Sequence, residues 1–290
     1  MSDFQFLKDL SWNKWVVLAP KRAKRPDVAK KIVPHCPFCI GNEMVEKEVY
    51  RVGGNPGDSN WQIRVLKNKF PFAPVHELII HSPDHHKNIE ELPDDHVELL
   101  FHTYLQRYTV HAKKGQVFLF HNRGEMAGES LPHAHTQLVV VPKEVTLDIR
   151  PLIKPDGDVQ ETNFFTMFCP QTSQWPDEVW VAPKRTHQTF GSILEEEIID
   201  ISFVMKRLIH IMSIRHGEAF PFNFYMYPGK NWYIRLIPRA KIIGGFEVGT
   251  TVWVNTQDPK ETMQFIKSHF ENPDEELIRR EYAAEYRRGV

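Results

Sequence analysis

The segment from Ser130 to Pro142, SLPHAHTQLVVVP, constrains the fold more strongly than any other part of the chain. Its second part is apolar and rich in valine, which predicts a buried strand. Successive side chains of a strand point to opposite faces, so His133, His135 and Gln137 share one face of the predicted sheet. The sequence therefore predicts two imidazoles and one amide on a single surface.

The first half of the chain predicts several strands, one long helix and then a hairpin-like pair of strands. The helix is expected from about Asp94 to Lys113, with Gly115 beyond its end. Strand patterns occur at KWVVLAP, WQIRVLK, HELIIHSP, QVFLFHN and HTQLVVVP.

The second half repeats this order of elements after the loop KPDGDVQ. A helix is expected from about Ser192 to Arg215, and strand patterns occur at VWVAPK, FNFYMYP and WYIRLIPR. Aligning LVVVP with IRLIP places Asn231 at the position of His135. Tyr233 then stands where the first half has Gln137, so the second copy would lack the reactive residues.

The last part of the chain predicts one more strand and two helices. The segment GGFEVGTTVWVN favours the strand. Asp258 and Pro259 should begin a helix that continues to about Phe270. The charged tail EELIRREYAAEYRRG favours a final helix. These patterns predict an α+β fold with antiparallel sheets and flanking helices. We expect it to divide into residues 1–150 and residues 151–290.

Composition excludes several classes of protein. The formal net charge is -1 and the sequence pI is about 7.0, which argues against a dominant nucleic-acid-binding or anionic-membrane surface. The first residues lack the pattern of a secretory signal, and no apolar run approaches membrane-spanning length. We therefore expect a cytoplasmic protein with neither nucleic acid nor membrane as a partner.

A glycine-containing loop, NRGEMAGES, precedes the histidine strand. Its backbone amides, with Asn122 and Ser130 as side-chain donors, can cradle phosphate oxygens. A neutral imidazole beside such a loop is a reasonable nucleophile toward phosphorus, and His135 is the candidate. The alternative is that the histidines are polar residues on the solvent face of a half-buried sheet.

The cysteines indicate a metal or redox site. The chain has three, which cannot form an even disulfide framework; Cys36 and Cys39 form a Cys-x-x-Cys pair, whereas Cys169 is expected to be a buried thiol. A structural Zn²⁺ site needs four Cys or His ligands, and a metal-free thiol pair is the alternative. The spacing alone cannot choose the remaining ligands among the histidines of the first half: His35, His81, His85, His86 and His133.

Three segments of the first half resemble the galactose-1-phosphate uridylyltransferase family. CPFCIGNE, SPDHHKNIEEL and FHNRGEMAGESLPHAHTQ occur in the order and approximate spacing of that family. The later segment LIPRAKIIGGFEVGT is more similar to its ADP-glucose phosphorylase branch. The resemblance covers nearly the whole chain and implies a duplicated histidine-triad (HIT-like) fold.

The resemblance also implies a metal site. The zinc ligands would be Cys36, Cys39, His85 and His133, which bind one Zn²⁺ per chain. This Zn²⁺ would be structural, because a filled tetrahedron leaves no position for a reacting water. Tyr233 and Arg235 occupy the places of a second metal site found in some uridylyltransferases. We therefore expect no second site in this chain.

By the same resemblance, His135 is the nucleophile that carries the nucleotidyl group between a nucleotide-sugar and phosphate or a sugar 1-phosphate. Gln137 falls where transferases of the superfamily carry glutamine and its hydrolases carry a third histidine. Glutamine binds phosphate oxygens but cannot act as an acid, which favours transfer over hydrolysis. The family also implies a homodimer.

Other positions of the family contact the substrate. The resemblance places Arg22 and Arg25 at the nucleotide phosphates, Asn68 near the ribose, Asn122 and Ser130 at phosphate, and Phe246 and Glu247 at the hexose. Without the resemblance, KRAKRPDVAKK is a solvated basic loop and GGFEVG is a strand entered through a glycine turn. Lys69 and Glu129 depart from the uridylyltransferase pattern, which leaves the base, the sugar and the acceptor open.

Two other functions fit the same residues. The first is a HIT-type hydrolase or phosphorylase of adenylylated nucleotides, which would release mononucleotide without a sugar-phosphate acceptor. The second is a non-catalytic, zinc-stabilised nucleotide-binding protein.

Overall fold

The computed structural model describes residues 3–12, 14–25 and 35–288, with side chains as far as residue 284. The strands are β1 (Gln5–Asp9), β2 (Lys14–Leu18), β3 (Glu48–Val52), β4 (Ile63–Lys67), β5 (Val75–Ile80), β6 (Gln116–Arg123), β7 (His135–Val141), β8 (Val159–Glu161), β9 (Phe165–Phe168), β10 (Val179–Pro183), β11 (Phe222–Met226) and β12 (Ile234–Pro238). The α-helices are α1 (Asp94–His111), α2 (Glu195–His216), α3 (Gly245–Thr250), α4 (Pro259–His269) and α5 (Glu275–Arg288). None of the described helices combines the length and apolar character that crossing a bilayer requires.

Ten strands form one antiparallel sheet in the order β3-β4-β5-β7-β6-β11-β12-β10-β9-β8, and β1 and β2 form a separate hairpin. Counted inward from either edge of the sheet, the five strands of each half occur in the same chain order: first, second, third, fifth and fourth. In each half, a long helix connects the third strand of the chain to the fourth. The predicted α+β class and duplicated HIT-like fold are confirmed. The connection between β7 and β8 contains residue 150, where we predicted the division.

The two long helices begin and end close to the predicted residues. The helix α1 begins at Asp94 and α2 ends at His216. The helix α2 starts later than expected because residues 190–192 form a separate 3-10 turn. In that turn, the side chain of Phe190 is buried against Trp232.

The main hydrophobic core lies between α1, α2 and one face of the sheet. Leu138 of β7 and Ile79 of β5 belong to it, whereas Val139 and Val141 of β7 belong to a cluster on the opposite face. Alternate residues of β7 therefore face opposite sides, as the sequence pattern predicts. Fully burying each Leu or Ile side chain stabilises the fold by about 1.5–3 kcal/mol.

The strand predicted for GGFEVGTTVWVN is wrong. Residues 245–250 form α3, and residues 251–257 belong to no strand. The Glu247 carboxylate accepts a hydrogen bond from the Gly244 backbone N–H, 3.2 Å away, which caps the start of the helix. This cap favours a helix at residues 245–250, although the β-branched residues that follow favour a strand.

Asp177 joins the second half of the sheet to two helices. Its carboxylate lies 2.8 Å from Thr262 Oγ1 in α4 and 3.1 Å from Arg215 Nε in α2, and the side chain is buried. Burial alone raises the pKa of Asp177, but hydrogen bonding to His216 and the charge of Arg215 outweigh it and lower the pKa to about 2.

Replacing Asp177 with Asn should lower the free energy of unfolding at pH 7 by about 3–5 kcal/mol, because it removes the charge of a buried carboxylate that bonds to Arg215 and Thr262. The lowered pKa means that the wild-type carboxylate stabilises the fold above its unfolded-state pKa of about 4 and loses this effect as the pH falls toward 2. Urea denaturation at several pH values should therefore show the difference shrinking with acid. The control Asp158→Asn removes an exposed pair with Lys267 and should change little.

Candidate functional site

The histidine strand presents His135 in a defined tautomer. His135 Nδ1 lies 2.8 Å from the backbone oxygen of His133. A carbonyl can only accept, so Nδ1 carries the proton and the Nε2 lone pair is left for the pocket. Burial lowers the pKa of His135, which keeps the ring neutral at pH 7.

Four ligand atoms converge beside this strand. Those of Cys36, Cys39, His85 and His133 all lie within 4.8 Å of one another. Cys39 Sγ is 3.2 Å from His85 Nδ1 and 3.7 Å from His133 Nδ1. Such separations are those of ligands around one tetrahedral ion bound at 2.0–2.3 Å. This group of residues can hold a metal ion.

The surroundings of the ligands favour metal binding. His133 Nε2 lies 2.8 Å from the Ser82 carbonyl oxygen, so Nε2 donates and Nδ1 is free to coordinate. Burial lowers the pKa of His133 to about 4, which keeps it neutral. His85 lies in the cluster. The other histidines that the sequence offered as possible ligands lie outside it: His35, His81 and His86.

His76 connects two predicted site residues, and sequence reasoning missed it. His76 Nε2 lies 3.0 Å from Gln137 Oε1 and 3.0 Å from Asn68 Nδ2. The Phe70 backbone N–H donates to Asn68 Oδ1, which fixes the orientation of that amide. His76 pairs with Val139 across β5 and β7. The alternation of side chains along β5 would have indicated that His76 faces the site only if this register had been known.

One pocket gathers three of the predicted phosphate and ribose residues of the first half, Arg25, Asn68 and Ser130, whereas Arg22 and Asn122 do not line it. Its lining includes the side chains of Arg25, Asn68, Ser130, His135 and Gln137. The rest of the predicted basic loop, residues 26–31, lies outside the described residues. The arrangement brings a cation, amide and hydroxyl donors and an unprotonated imidazole nitrogen to one place, which suits a phosphate ester.

Arg22 contacts a residue of this pocket, Phe70, without lining the pocket itself. Its Nη1 donates to the Phe70 carbonyl oxygen, 2.6 Å away, and its guanidinium stacks on Phe72 at 4.8 Å. Burial, with the charge of Arg25, lowers the pKa of Arg22 to about 10. Among the described residues, no carboxylate lies within ion-pair distance of either arginine. Two neighbouring cations without counter-ions favour an anionic ligand.

The loop before the histidine strand is closed by its own carboxylate. Gly124 has φ of 81°, and a Cβ there would lie 2.9 Å from the Pro221 side chain, so the position requires glycine. The Gly124 N–H donates to Glu129 Oε2 at 2.8 Å. Burial raises the pKa of Glu129. Glu129 thus folds back onto its own loop, and Asn122 bonds with Asn223 across the centre of the sheet.

The predicted residues of the second half lie outside this pocket. Phe246 is 56% exposed on α3, and Glu247 bonds to Lys241 and Gly244. Neither lines the described pocket at His135. Tyr233 stacks on Trp180 at 4.3 Å, and Arg235 pairs with Glu178, so these two side chains serve packing.

The strand order and the cluster of possible metal ligands place the chain among proteins that resemble galactose-1-phosphate uridylyltransferase. The chain is similar in sequence to galactose-1-phosphate uridylyltransferase and to ADP-glucose phosphorylase. Residues 20–144 match the family model "Domain of unknown function (DUF4931) N-terminal domain".

Individual relatives match over most of the chain. It is 24% identical over 323 aligned positions to ADP-glucose phosphorylase of Arabidopsis thaliana, covering 90% of this chain and 91% of the relative. It is 23% identical to galactose-1-phosphate uridylyltransferase of Thermotoga maritima, covering 88% and 95%. The crystal structure of an Arabidopsis thaliana ADP-glucose phosphorylase with bound ADP-glucose superposes with a TM-score of 0.69 at 22% identity, covering 91% and 98%.

Replacing Cys39 with Ser should reduce the bound metal, measured by elemental analysis of the purified protein, well below one ion per chain. It should also lower the melting temperature by roughly 10 °C or more, because a structural ion contributes directly to folding. The matched control is Cys169→Ser, which changes a buried thiol outside the cluster and should leave the metal content unchanged.

A second pair of variants tests the two adjacent histidines. His85→Asn should lose metal, whereas His86→Asn should retain it, because His86 is exposed and outside the cluster. Equal metal content in both variants would contradict the assignment of His85.

Proposed function

We propose that the protein is a nucleotidyltransferase that moves a nucleoside monophosphate between a nucleotide-sugar and phosphate or a sugar 1-phosphate. The group is carried as a covalent nucleotidyl-His135. The observation that carries the proposal is the hydrogen bond from His135 Nδ1 to the His133 carbonyl oxygen, because it leaves Nε2 unprotonated in a pocket lined by Arg25, Ser130 and Gln137.

In the first step, the Nε2 lone pair of His135 forms a bond to the α-phosphorus of the nucleotide-sugar. The bond from this phosphorus to the bridging oxygen breaks, and its electron pair leaves with the sugar phosphate. Arg25, Ser130 and the Gln137 amide bind the phosphate oxygens while charge develops on them. A phosphate-bearing acceptor then attacks the same phosphorus and restores the free imidazole.

Gln137 favours transfer to phosphate acceptors. Gln137 lines the pocket at His135, so its side-chain amide can donate N–H groups to phosphate oxygens. Glutamine has no proton to give to a poor leaving group, whereas a phosphate leaves as an anion without one. This supports a transferase rather than a hydrolase.

We further propose that the ligand cluster holds one structural Zn²⁺. Two cysteines and two histidines fill a tetrahedron, so the ion would stabilise the loops and the strand and would not bind a reacting water. His133 links the ion to the nucleophile because its carbonyl orients His135. No step of the transfer passes through the metal.

The remaining assignments concern the nucleotide, the sugar and the assembly. Arg22 and Arg25 would neutralise nucleotide phosphates, Asn68 would bind the ribose, and Asn122 would bind phosphate. The relatives named above support an adenine or uracil nucleotide. Phe246 and Glu247 would contact the sugar. Residues 1–150 would form the catalytic half of the chain and residues 151–290 the degenerate half. The chain would form a homodimer.

Incubation with a panel of ADP-, UDP- and GDP-sugars should produce a nucleotidyl adduct, which peptide mass spectrometry should locate at His135. Replacing His135 with Asn should slow exchange of sugar phosphate by roughly a thousandfold or more, because the nucleophile is lost. The control His102→Asn changes a half-exposed histidine of α1 and should react normally. Absence of an adduct across the whole panel would refute the proposal.

Replacing Gln137 with His should shift the reaction from transfer toward water. The introduced imidazole can protonate a leaving group, so hydrolysis of nucleotidyl esters with poor leaving groups should rise about tenfold or more. Chromatographic separation of mononucleotide from nucleotide-sugar measures the partition. An unchanged partition would show that residue 137 does not set the acceptor.

A further inference from the structure

Three polar residues of the sheet lie in a row that starts at the nucleophile. His121 pairs with Thr136 across β6 and β7, so the next residues along, Asn122 and His135, also lie opposite each other. Asn122 in turn pairs with Asn223 across β6 and β11. Neighbouring strands are about 4.8 Å apart, so this row extends roughly 10 Å from His135 into the second half.

Hydrogen bonds join this row to Arg239, which directly follows β12. Asn223 Nδ2 donates to Asn122 Oδ1 at 2.9 Å. Arg239 Nη1 donates to Asn223 Oδ1 at 2.8 Å, and its guanidinium stacks on Trp175 at 4.3 Å. The backbone N–H of Arg239 bonds to the Pro221 carbonyl oxygen at 2.7 Å, which fixes the start of the side chain. Arg239 is therefore held at the end of the row.

The charge of Arg239 is not balanced within the described part of the chain. No described carboxylate lies within ion-pair distance of its guanidinium, and its Nε is buried without an acceptor. By contrast, Arg235 on β12 pairs with Glu178, and Arg123 on β6 pairs with Glu90. A half-buried cation with free donors is costly unless an anion joins it.

We propose that Arg239 binds the phosphate that leaves with the sugar in the first step and that returns on the acceptor in the second. This assignment rests on the proposed function. In this assignment the α-phosphorus lies at His135, and the next phosphate of the nucleotide-sugar lies further along the row, toward Asn223 and Arg239. When the bond from the α-phosphorus to the bridging oxygen breaks, the electron pair adds negative charge to the departing phosphate. The guanidinium stabilises that charge, so no proton is needed.

The assignment predicts a dependence on the leaving group. Arg239→Gln keeps a polar side chain but loses the charge, so nucleotidylation of His135 by a nucleotide-sugar should slow about a hundredfold. Nucleotidylation by a nucleoside 5′-phosphorimidazolide, whose leaving imidazole carries no phosphate, should proceed at the wild-type rate. Arg239→Lys keeps the charge without the planar fork and should recover part of the loss. The adenosine and uridine forms of both donors should be used.

A matched control separates this effect from general damage to the second half. Arg150 also stacks on a tryptophan, at 5.2 Å from Trp180, and bonds to Thr172. Arg150→Gln should react normally with both donors, and melting temperatures of all variants should be recorded.

Three outcomes would overturn the assignment of Arg239. Equal slowing with both donors would show that Arg239 only supports the structure, and unchanged rates with both would show that it does not meet the phosphate. A wild-type protein that forms no adduct with either donor would refute the proposed function itself, and the assignment with it.

Discussion

The hydrogen bond from His135 Nδ1 to the His133 carbonyl oxygen is the interaction on which the site depends. The carbonyl belongs to one of the four clustered ligand residues, and the ring of that residue bonds to Ser82 through its other nitrogen. The tautomer of His135, the proposed nucleophile, is therefore set by the backbone of His133, a proposed metal ligand. An ion held by this cluster would fix the backbone of His133 and thereby the orientation of the His135 ring. The metal would then support the reaction without taking part in it.

The opposite face of β7 is anchored by buried polar contacts. Tyr104 OH of α1 lies 2.6 Å from Thr136 Oγ1, and His81 Nε2 lies 2.8 Å from the same oxygen. His121 Nδ1 of β6 bonds to the His135 backbone oxygen at 2.9 Å. These contacts specify the register of β7. A slip by one residue would turn His135 into the core, because side chains alternate between faces.

The sequence predicts features that depend on local pattern. The alternation at residues 133–137 needs only the strand itself, and the Cys-x-x-Cys turn needs only four consecutive residues. His76 and Arg239 could not be found in this way, since their positions relative to His135 depend on the pairing of β5 with β7 and of β6 with β11. His85 and His86 are neighbours in sequence, and only the direction in which the loop presents each ring separates them. The short strands β8 and β9 carry too little pattern to be recognised.

The second half uses the same strand order for a different purpose. Where the first half keeps an open polar face around His135, the second fills its face with the stacked rings of Trp180 and Tyr233 and with the Arg235–Glu178 pair. Filling the face in this way leaves no described cluster of metal ligands there. The two halves meet where β6 pairs with β11, and there the side chains that face the site are polar, at Asn122 and Asn223. The duplicated sheet therefore has one half that contains the proposed nucleophile, His135, and a second half whose site-facing side chains are polar where it joins the first, at Asn223.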